Sequence, residues 1–189
     1  FSFNFFDKEN ETLRNACTEV TSEDDSDVCN LGSINMGRID NLSEFSNVVE
    51  LATKFLLCGT LRAKLPYQKV YDVREKNRRL GLGLMGIHEW LIKAGQKYEV
   101  SDGLHKWLSV YKGISDNTSA KFADQLNVSR PVANRAIAPT GSIGILAGTS
   151  TGIEPIFAVA YKRRYLKNGT RWHYQYVVDS AAQEIIDLY

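Results

Sequence analysis

The 189-residue sequence has only three cysteines, Cys17, Cys29 and Cys58, and no pair in C-x-x-C spacing. So sparse and odd a set cannot build a disulfide framework, and it favours a reducing, cytoplasmic compartment. It has no excess of charge either, with 23 Lys+Arg against 22 Asp+Glu and a net charge of +1. A global pull on nucleic acid or a membrane surface is thereby excluded, and neither is expected as a direct partner. No apolar run approaches the roughly 18–20 residues of a membrane span, and no signal-peptide pattern is present. The three histidines stand apart. His88-Glu89 begins an H-E-x-x-H motif, but Ile92 occupies the second histidine position, so no metal site is expected. Glycine and proline are at ordinary levels, which excludes a fibrous or disordered chain.

What is present suits one domain, or a piece of one, with a real core. Phe1-Ser2-Phe3-Asn4-Phe5 alternates like a strand entered midway. Residues 179–189 read as a helix just begun, capped by Ser180 and burying Ile185, Ile186 and Tyr189. Both ends read as cut, and a piece of a longer protein is expected. Residues 1–40 look extended, with the acidic run Glu23-Asp24-Asp25-Ser26-Asp27 as a solvated turn. Asn41 and Glu44 have capping-box spacing ahead of a helix whose buried face would be Phe45, Val48, Val49, Ala52, Phe55 and Leu56. Cys58 near its end reads as a small packed residue. Residues 65–79 read as a polar, basic connection. Further helices are expected at about 85–94 and from Ser101, the latter marked by Leu104, Trp107, Leu108, Tyr111, Ile114, Thr118 and Phe122. Strands are expected at 156–161 and 172–178, with Lys167-Asn168-Gly169-Thr170 turning between them. Alternating helices and short apolar strands indicate an α/β fold.

Several motifs carry chemistry. Gly81-Leu82-Gly83-Leu84-Met85-Gly86 matches G-x-G-x-x-G, but the preceding Glu75–Arg79 is a poor buried strand for a dinucleotide site. Close backbone packing at a helix start is the preferred reading. Lys162-Arg163-Arg164 reads as a solvated strand end, with a phosphate or partner contact as the alternative. Asn15-Ala16-Cys17-Thr18-Glu19 places an amide, a thiol and a carboxylate on one face if the chain is extended there. Cys29 follows in Val28-Cys29-Asn30-Leu31-Gly32-Ser33-Ile34-Asn35. Downstream, Ala138-Pro139-Thr140-Gly141-Ser142-Ile143 suits an anionic oxygen if it runs into a helix N-terminus, and a plain small-residue turn otherwise. Gly152-Ile153-Glu154-Pro155 comes after it.

In this order, these segments resemble the large catalytic subunit of ribonucleotide reductase, from Asn15 to at least Arg164. The resemblance implies that Cys17 carries a thiyl radical that takes the 3′-hydrogen of a ribonucleotide. It makes Glu19 the base for the 3′-hydroxyl proton and Asn15 the amide that orients the substrate hydroxyls. It makes Cys29 one half of a redox pair whose partner lies upstream of Phe1. Pro139, Thr140, Gly141, Ser142 and Ile143 match the loop that holds the substrate phosphates. The implied fold is part of a ten-stranded α/β barrel, with a finger loop carrying the radical cysteine to its centre. Residues 1–189 would form one incomplete catalytic barrel domain, with 1–40 as finger loop and return and 41–189 as barrel wall. The implied product is a deoxyribonucleotide for DNA synthesis, and the 189 residues alone are not expected to turn over.

The short spacing from Cys17 to Cys29, with Gly32-Ser33-Ile34-Asn35 after it, is more like the adenosylcobalamin-dependent class II type. That implies adenosylcobalamin as cofactor, an external dithiol such as thioredoxin as reductant, and an assembly for which a homodimer is open. The Cys-Thr-Glu wording is also met in the class that uses a separate radical-generating subunit, which is kept as an alternative. A non-catalytic nucleotide-phosphate-binding module is a third reading. It is disfavoured because binding alone needs neither Cys17 nor Cys29.

Overall fold

A computed structural model describes residues 13–188. The opening Phe1–Phe5 alternation and Tyr189 lie outside them. Two parallel strands, β3 (Asn30–Asn35) and β4 (Leu80–Met85), form the wall of the molecule, in register from Asn30 opposite Leu80 to Asn35 opposite Met85. The segment 133–136 adds a parallel edge on the far side of β4. Leu80 and Leu82 donate their amides to Ala133 and Asn134, and Ala136 donates to Leu82. Parallel neighbours need long crossovers, and helices supply them. α1 (Leu42–Arg62) and α2 (Gln68–Asn77) join β3 to β4. α3 (Ile87–Lys93) and α4 (Asp102–Gln125) join β4 to the 133–136 edge. The expected α/β class is therefore seen, and among the described residues the parallel sheet stays open.

The helix starts follow local chemistry. Asn41 caps α1 by accepting the Glu44 amide at 3.0 Å, while the Glu44 carboxylate reaches back to the Asp40 amide at 2.9 Å. Ser101 caps α4 by accepting from Leu104 at 3.2 Å. Phe45, Val49, Leu56 and Leu57 of α1 pack with Leu104, Tyr111 and Ala123 of α4 against Leu80, Leu82 and Leu84. Phe45, Trp107 and Trp90 stack in sequence, with centroids 5.0 and 4.9 Å apart. The Tyr111 hydroxyl donates to the Leu82 carbonyl inside this core, and burial pushes that phenol well up.

Several expectations are corrected. Residues 65–79 are not a plain connection but contain α2, which buries Val70 and Val73 alongside the polar Arg74 and Asn77. Arg74 is buried and donates to the Thr60 and Ala63 carbonyls at the end of α1. Its polar face carries little hydrophobic periodicity. The glycine-rich 80–85 stretch is a strand buried at every position, and the helix begins only after Gly86, which adopts φ +72°. Phe55 is exposed, because the buried stripe of α1 runs through Thr53, Leu56, Leu57 and Thr60. Cys58, on the same outer side, is exposed rather than packed.

Beyond the wall, the short helix α5 (Gly141–Ala147) follows the Pro-Thr-Gly-Ser loop. An antiparallel hairpin, β5 (Ala160–Lys167) and β6 (Arg171–Val178), turns at Asn168 and Gly169, both at positive φ. The first of these strands begins later than expected and carries Lys162, Arg163 and Arg164 in its exposed middle. α6 (Ser180–Leu188) closes the described chain. Asp179 rather than Ser180 caps it, accepting the Ala181 amide at 2.9 Å, and the Ser180 hydroxyl donates instead to the Gly148 carbonyl at 2.6 Å. Ile186 faces solvent instead of a core.

Candidate active site

The Asn15–Glu19 triple sits at the tip of a minimal hairpin. Its strands, β1 (Leu13–Arg14) and β2 (Thr21–Ser22), are two residues long. The chain between them turns instead of running extended. Thr18 donates its amide to the Asn15 carbonyl at 3.1 Å, and Val20 donates to the Asn15 side-chain oxygen at 3.2 Å. Thr18 takes φ +65°, a left-handed conformation unfavourable for a β-branched residue. The turn leaves Cys17 exposed and Glu19 half-buried. Glu19 Oε2 is shielded from solvent and has no hydrogen-bond partner among the described residues.

Between this tip and the wall lies a cleft of about 330 Å³. Glu19, Cys29, Arg79, Ala136 and Ile137 are among its lining residues. A second recess of about 370 Å³, reaching from Asn15 to Leu31, touches the other side of Cys29. Glu19 and Cys29 are thus brought to one cavity. Burial pushes the Cys29 thiol up to about 12, with Asp27 and Glu19 adding to the rise and the Arg79 guanidinium opposing it. The sulfur is held as a thiol.

The acidic run is not a merely solvated turn, because a network of charges binds it to the end of α2. Asp27 accepts from Arg79 Nε at 3.0 Å, and both side chains are 7% exposed. Asn77 Nδ2 donates to Asp24 at 2.9 Å and to Asp27 at 3.0 Å. Lys76 pairs with Asp24 at 3.0 Å and Glu23 at 3.2 Å, and Lys69 pairs with Asp25. The hydrogen bonds from Asn77 and Lys76 hold the Asp24 carboxyl below its ordinary range. Complementary runs at 23–27 and 74–79 were the sequence signal for this joint.

The Pro139–Ile143 loop runs directly into α5. Thr140 adopts φ +50° and is buried, and its hydroxyl accepts the Gly152 amide at 2.7 Å, joining the loop to the Gly-Ile-Glu-Pro turn. Pro139, Gly141, Ser142 and Ile143 are exposed, and the first amides of α5 lack intrahelical acceptors. Neither cavity beside Cys29 is lined by this loop or by Cys17, although Ala136 and Ile137, just before it, line the Glu19 cleft. Sequence reasoning also missed Glu89, a buried carboxylate on α3. It accepts from the backbone amide and, at 2.5 Å, the hydroxyl of Ser150, and so fixes the segment after α5. His88 is structural too, its Nδ1 accepting the Ile156 amide at 2.8 Å. Among the described residues no group of three or more His, Cys, Asp or Glu could hold a metal ion, and no helix is long and apolar enough to cross a membrane.

A family model described as the ribonucleotide reductase barrel domain matches residues 4–127 and 129–189. Over 160 residues the chain is 32% identical to a protein of Mycobacterium phage D29 named as an adenosylcobalamin-dependent ribonucleoside-triphosphate reductase, covering 79% of this chain and 23% of that relative. Over 162 residues it is 33% identical to a vitamin B12-dependent ribonucleoside-diphosphate reductase of Thermoplasma acidophilum, covering 73% and 21%. The crystal structure of a B12-dependent class II ribonucleotide reductase superposes with a TM-score of 0.69 at 19% identity, covering 82% of this chain and 25% of that one. That likeness concerns the fold, and it agrees with an open section of an α/β barrel. The chain spans about a quarter or less of the length of each of these proteins. On the match along nearly its whole length, this chain belongs to the ribonucleotide reductase barrel-domain family.

Proposed function

We propose that the chain is part of a catalytic subunit that reduces ribonucleotides to deoxyribonucleotides, with Cys17 as the radical carrier. The observation that carries this reading is the convergence of Glu19 and Cys29 on one cleft beneath the Cys17 tip. A thiyl sulfur suits hydrogen abstraction because S–H and C–H bonds are close in strength, so the transfer is reversible. Cys17 would take the 3′-hydrogen of the ribose. Glu19 would accept the 3′-hydroxyl proton, a role supported by its shielded, unpartnered Oε2. That proton transfer eases departure of the 2′-hydroxyl as water. Asn15, whose side-chain oxygen fixes the turn, would orient the hydroxyls through its remaining amide hydrogens. Cys29 would supply electrons together with a second cysteine beyond this chain and become half of a disulfide. The exposed residues of the Pro139–Ile143 loop, with the first amides of α5, would hold the phosphates.

We assign adenosylcobalamin as the radical source. The B12-dependent names of the relatives and the short Cys17-to-Cys29 spacing support it. Adenosylcobalamin supplies, when bound, the one-electron chemistry that removes a hydrogen atom from a thiol. The fit that this chain offers is Cys17 itself, a thiol standing open at a turn, and no other described residue is assigned to the cofactor. A thioredoxin-like dithiol in the cytoplasm would restore Cys29 and its partner. The Cys-Thr-Glu wording favours a second reading, in which a separate subunit generates the radical.

The test is an assay of the full-length protein with ribonucleotide, a dithiol and adenosylcobalamin alone. Deoxyribonucleotide is the expected product. A requirement for a second protein subunit would overturn the cobalamin assignment, and no product under either condition would overturn the function.

A further inference from the structure

The proposed chemistry does not explain the glycines of β4. In the parallel register Gly81 stands opposite Leu31, two residues past Cys29. A β-carbon built on Gly81 would lie 2.8 Å from Cys29 Sγ, 2.4 Å from Leu31 Cδ2 and 3.3 Å from Ala136 Cβ. The first two are well inside contact distance, so the Leu31 methyl and the Cys29 sulfur together fill the place of a side chain. Gly83 has a different constraint. A β-carbon there would lie 2.6 Å from the Ala136 carbonyl oxygen, so that glycine admits the 133–136 backbone. The G-x-G pattern therefore makes room for the Leu31 side chain and the sulfur at its first glycine and for a strand at its second.

Gly81 shapes the space, but something must also hold the loop against it. Asp27, two residues before Cys29, accepts the Val28 amide at 2.8 Å through one carboxylate oxygen. Its other oxygen accepts from Ser22, Asn77 and Arg79 at 2.7, 3.0 and 3.0 Å. Arg79 sits two residues before Gly81, so one buried ion pair ties the start of the Cys29 segment to the start of β4. We infer that Gly81 is a positioning residue for Cys29, providing with the Asp27–Arg79 pair a seat that holds the sulfur in the wall beside Glu19. This rests on the reading of Cys29 as half of the redox pair, and it assigns a role to a motif that would otherwise suggest a dinucleotide.

The charged groups around the seated sulfur are Glu19 from the tip, Asp27 from its own loop and Arg79 from the turn into β4. Arg135 lines the far wall of the cleft, and Arg14, Asp24 and Asp25 line the recess behind. With burial dominant, the seat keeps the thiol protonated. Cys58, on the outer side of α1 and exposed, provides an internal reference.

The test follows alkylation of each cysteine by iodoacetamide across pH, read by mass spectrometry on the reduced full-length protein. In the parent protein Cys29 should react slowest of the three, because burial raises its thiol. Gly81→Ala should expel the sulfur. Its midpoint should fall towards the ordinary thiol value near about 8.5, and its rate near neutrality should rise more than about tenfold, with Cys58 unmoved. If the new methyl's clash with Leu31 prevents folding, combining it with Leu31→Ala removes that clash while keeping the one with sulfur, and the same shift is expected. Equal reactivity of the three thiols in the parent, or an unmoved Cys29 profile in a folded Gly81→Ala protein, would overturn the inference. Dithiol-supported turnover that survives Cys29→Ser would defeat the redox reading instead, and would leave the alkylation result standing.

Discussion

β3 and β4 run six residues each, and every position of β4 is buried. The strands beneath the Asn15–Val20 tip are two residues long, and Asn15 through Thr18 are exposed. Cys29 and Cys17 belong to these two settings, one seated against a packed strand and the other on a turn held by three hydrogen bonds centred on Asn15. Burial raises the Cys29 thiol to about 12. Cys17 stands exposed on its turn among the described residues. The two are linked by the ion-paired 23–27 turn, so the wall carries the tip through side-chain charges as well as backbone. The difference teaches that the wall is built by buried parallel pairing, and that the tip is placed by its charged joint to that wall.

The strongest way to break this comparison is to make the same kind of truncation on both sides. Leu82→Ala removes a side chain that is 1% exposed at the centre of the core, and should lower stability by about 2–5 kcal/mol. Asn15→Ala removes one exposed hydrogen bond to the Val20 amide and should cost about 1 kcal/mol or less. Denaturant unfolding of the full-length protein and both variants checks this. Equal losses would mean that the tip is as structurally committed as the wall.

A smaller effect sharpens the role of the joint. Asp24 is held below its ordinary carboxyl value, first by the Asn77 hydrogen bond and then by Lys76. A group lowered in the fold contributes stability that is complete above its unfolded value near 3.8 and is lost as pH falls through its lowered value. Acidification should therefore loosen the 23–27 turn. NMR titration from about pH 6 to about pH 2 should show the Asp24 carboxyl titrating below the free value, with shifts in Asn77 following it. Replacing Asn77 by Ala should move that titration back up towards 3.8.

Much of this fold was legible in the sequence where apolar periodicity and a cap coincide. Asn41 and Ser101 announced α1 and α4, and the Leu104-to-Phe122 stripe named the face that meets the wall. α2 was hidden because only Val70 and Val73 mark its buried side, and its other anchors are Arg74, Asn77 and the Arg78 that follows, which pack through hydrogen bonds and charge. β4 was hidden because two of its six residues are glycine, a residue that usually weakens strands. Their value here lies in what sits against them, a leucine side chain with a sulfur and a neighbouring backbone, and a single chain read in order does not display those contacts. In the candidate site, the roles proposed for Asn15, Cys17, Glu19 and Cys29 come from the family resemblance, and spacing alone gave only a candidate patch at Asn15, Cys17 and Glu19. The extended geometry expected for the first three could not hold, because the Asn15 side chain closes a turn on Val20. The Thr140 hydroxyl, expected at a phosphate, accepts the Gly152 amide and is buried, so it ties the loop to the following turn, while Ser142 stands exposed.

The central claim is that Cys17 is the atom carrier and Cys29 is not. It is tested most directly by Cys17→Ser in the full-length protein, with 3′-deuterated ribonucleotide as substrate. Binding of the nucleotide should be retained, while deoxyribonucleotide formation and any exchange of the 3′-deuterium should both fall to background. Turnover at the parent rate in Cys17→Ser would contradict the account.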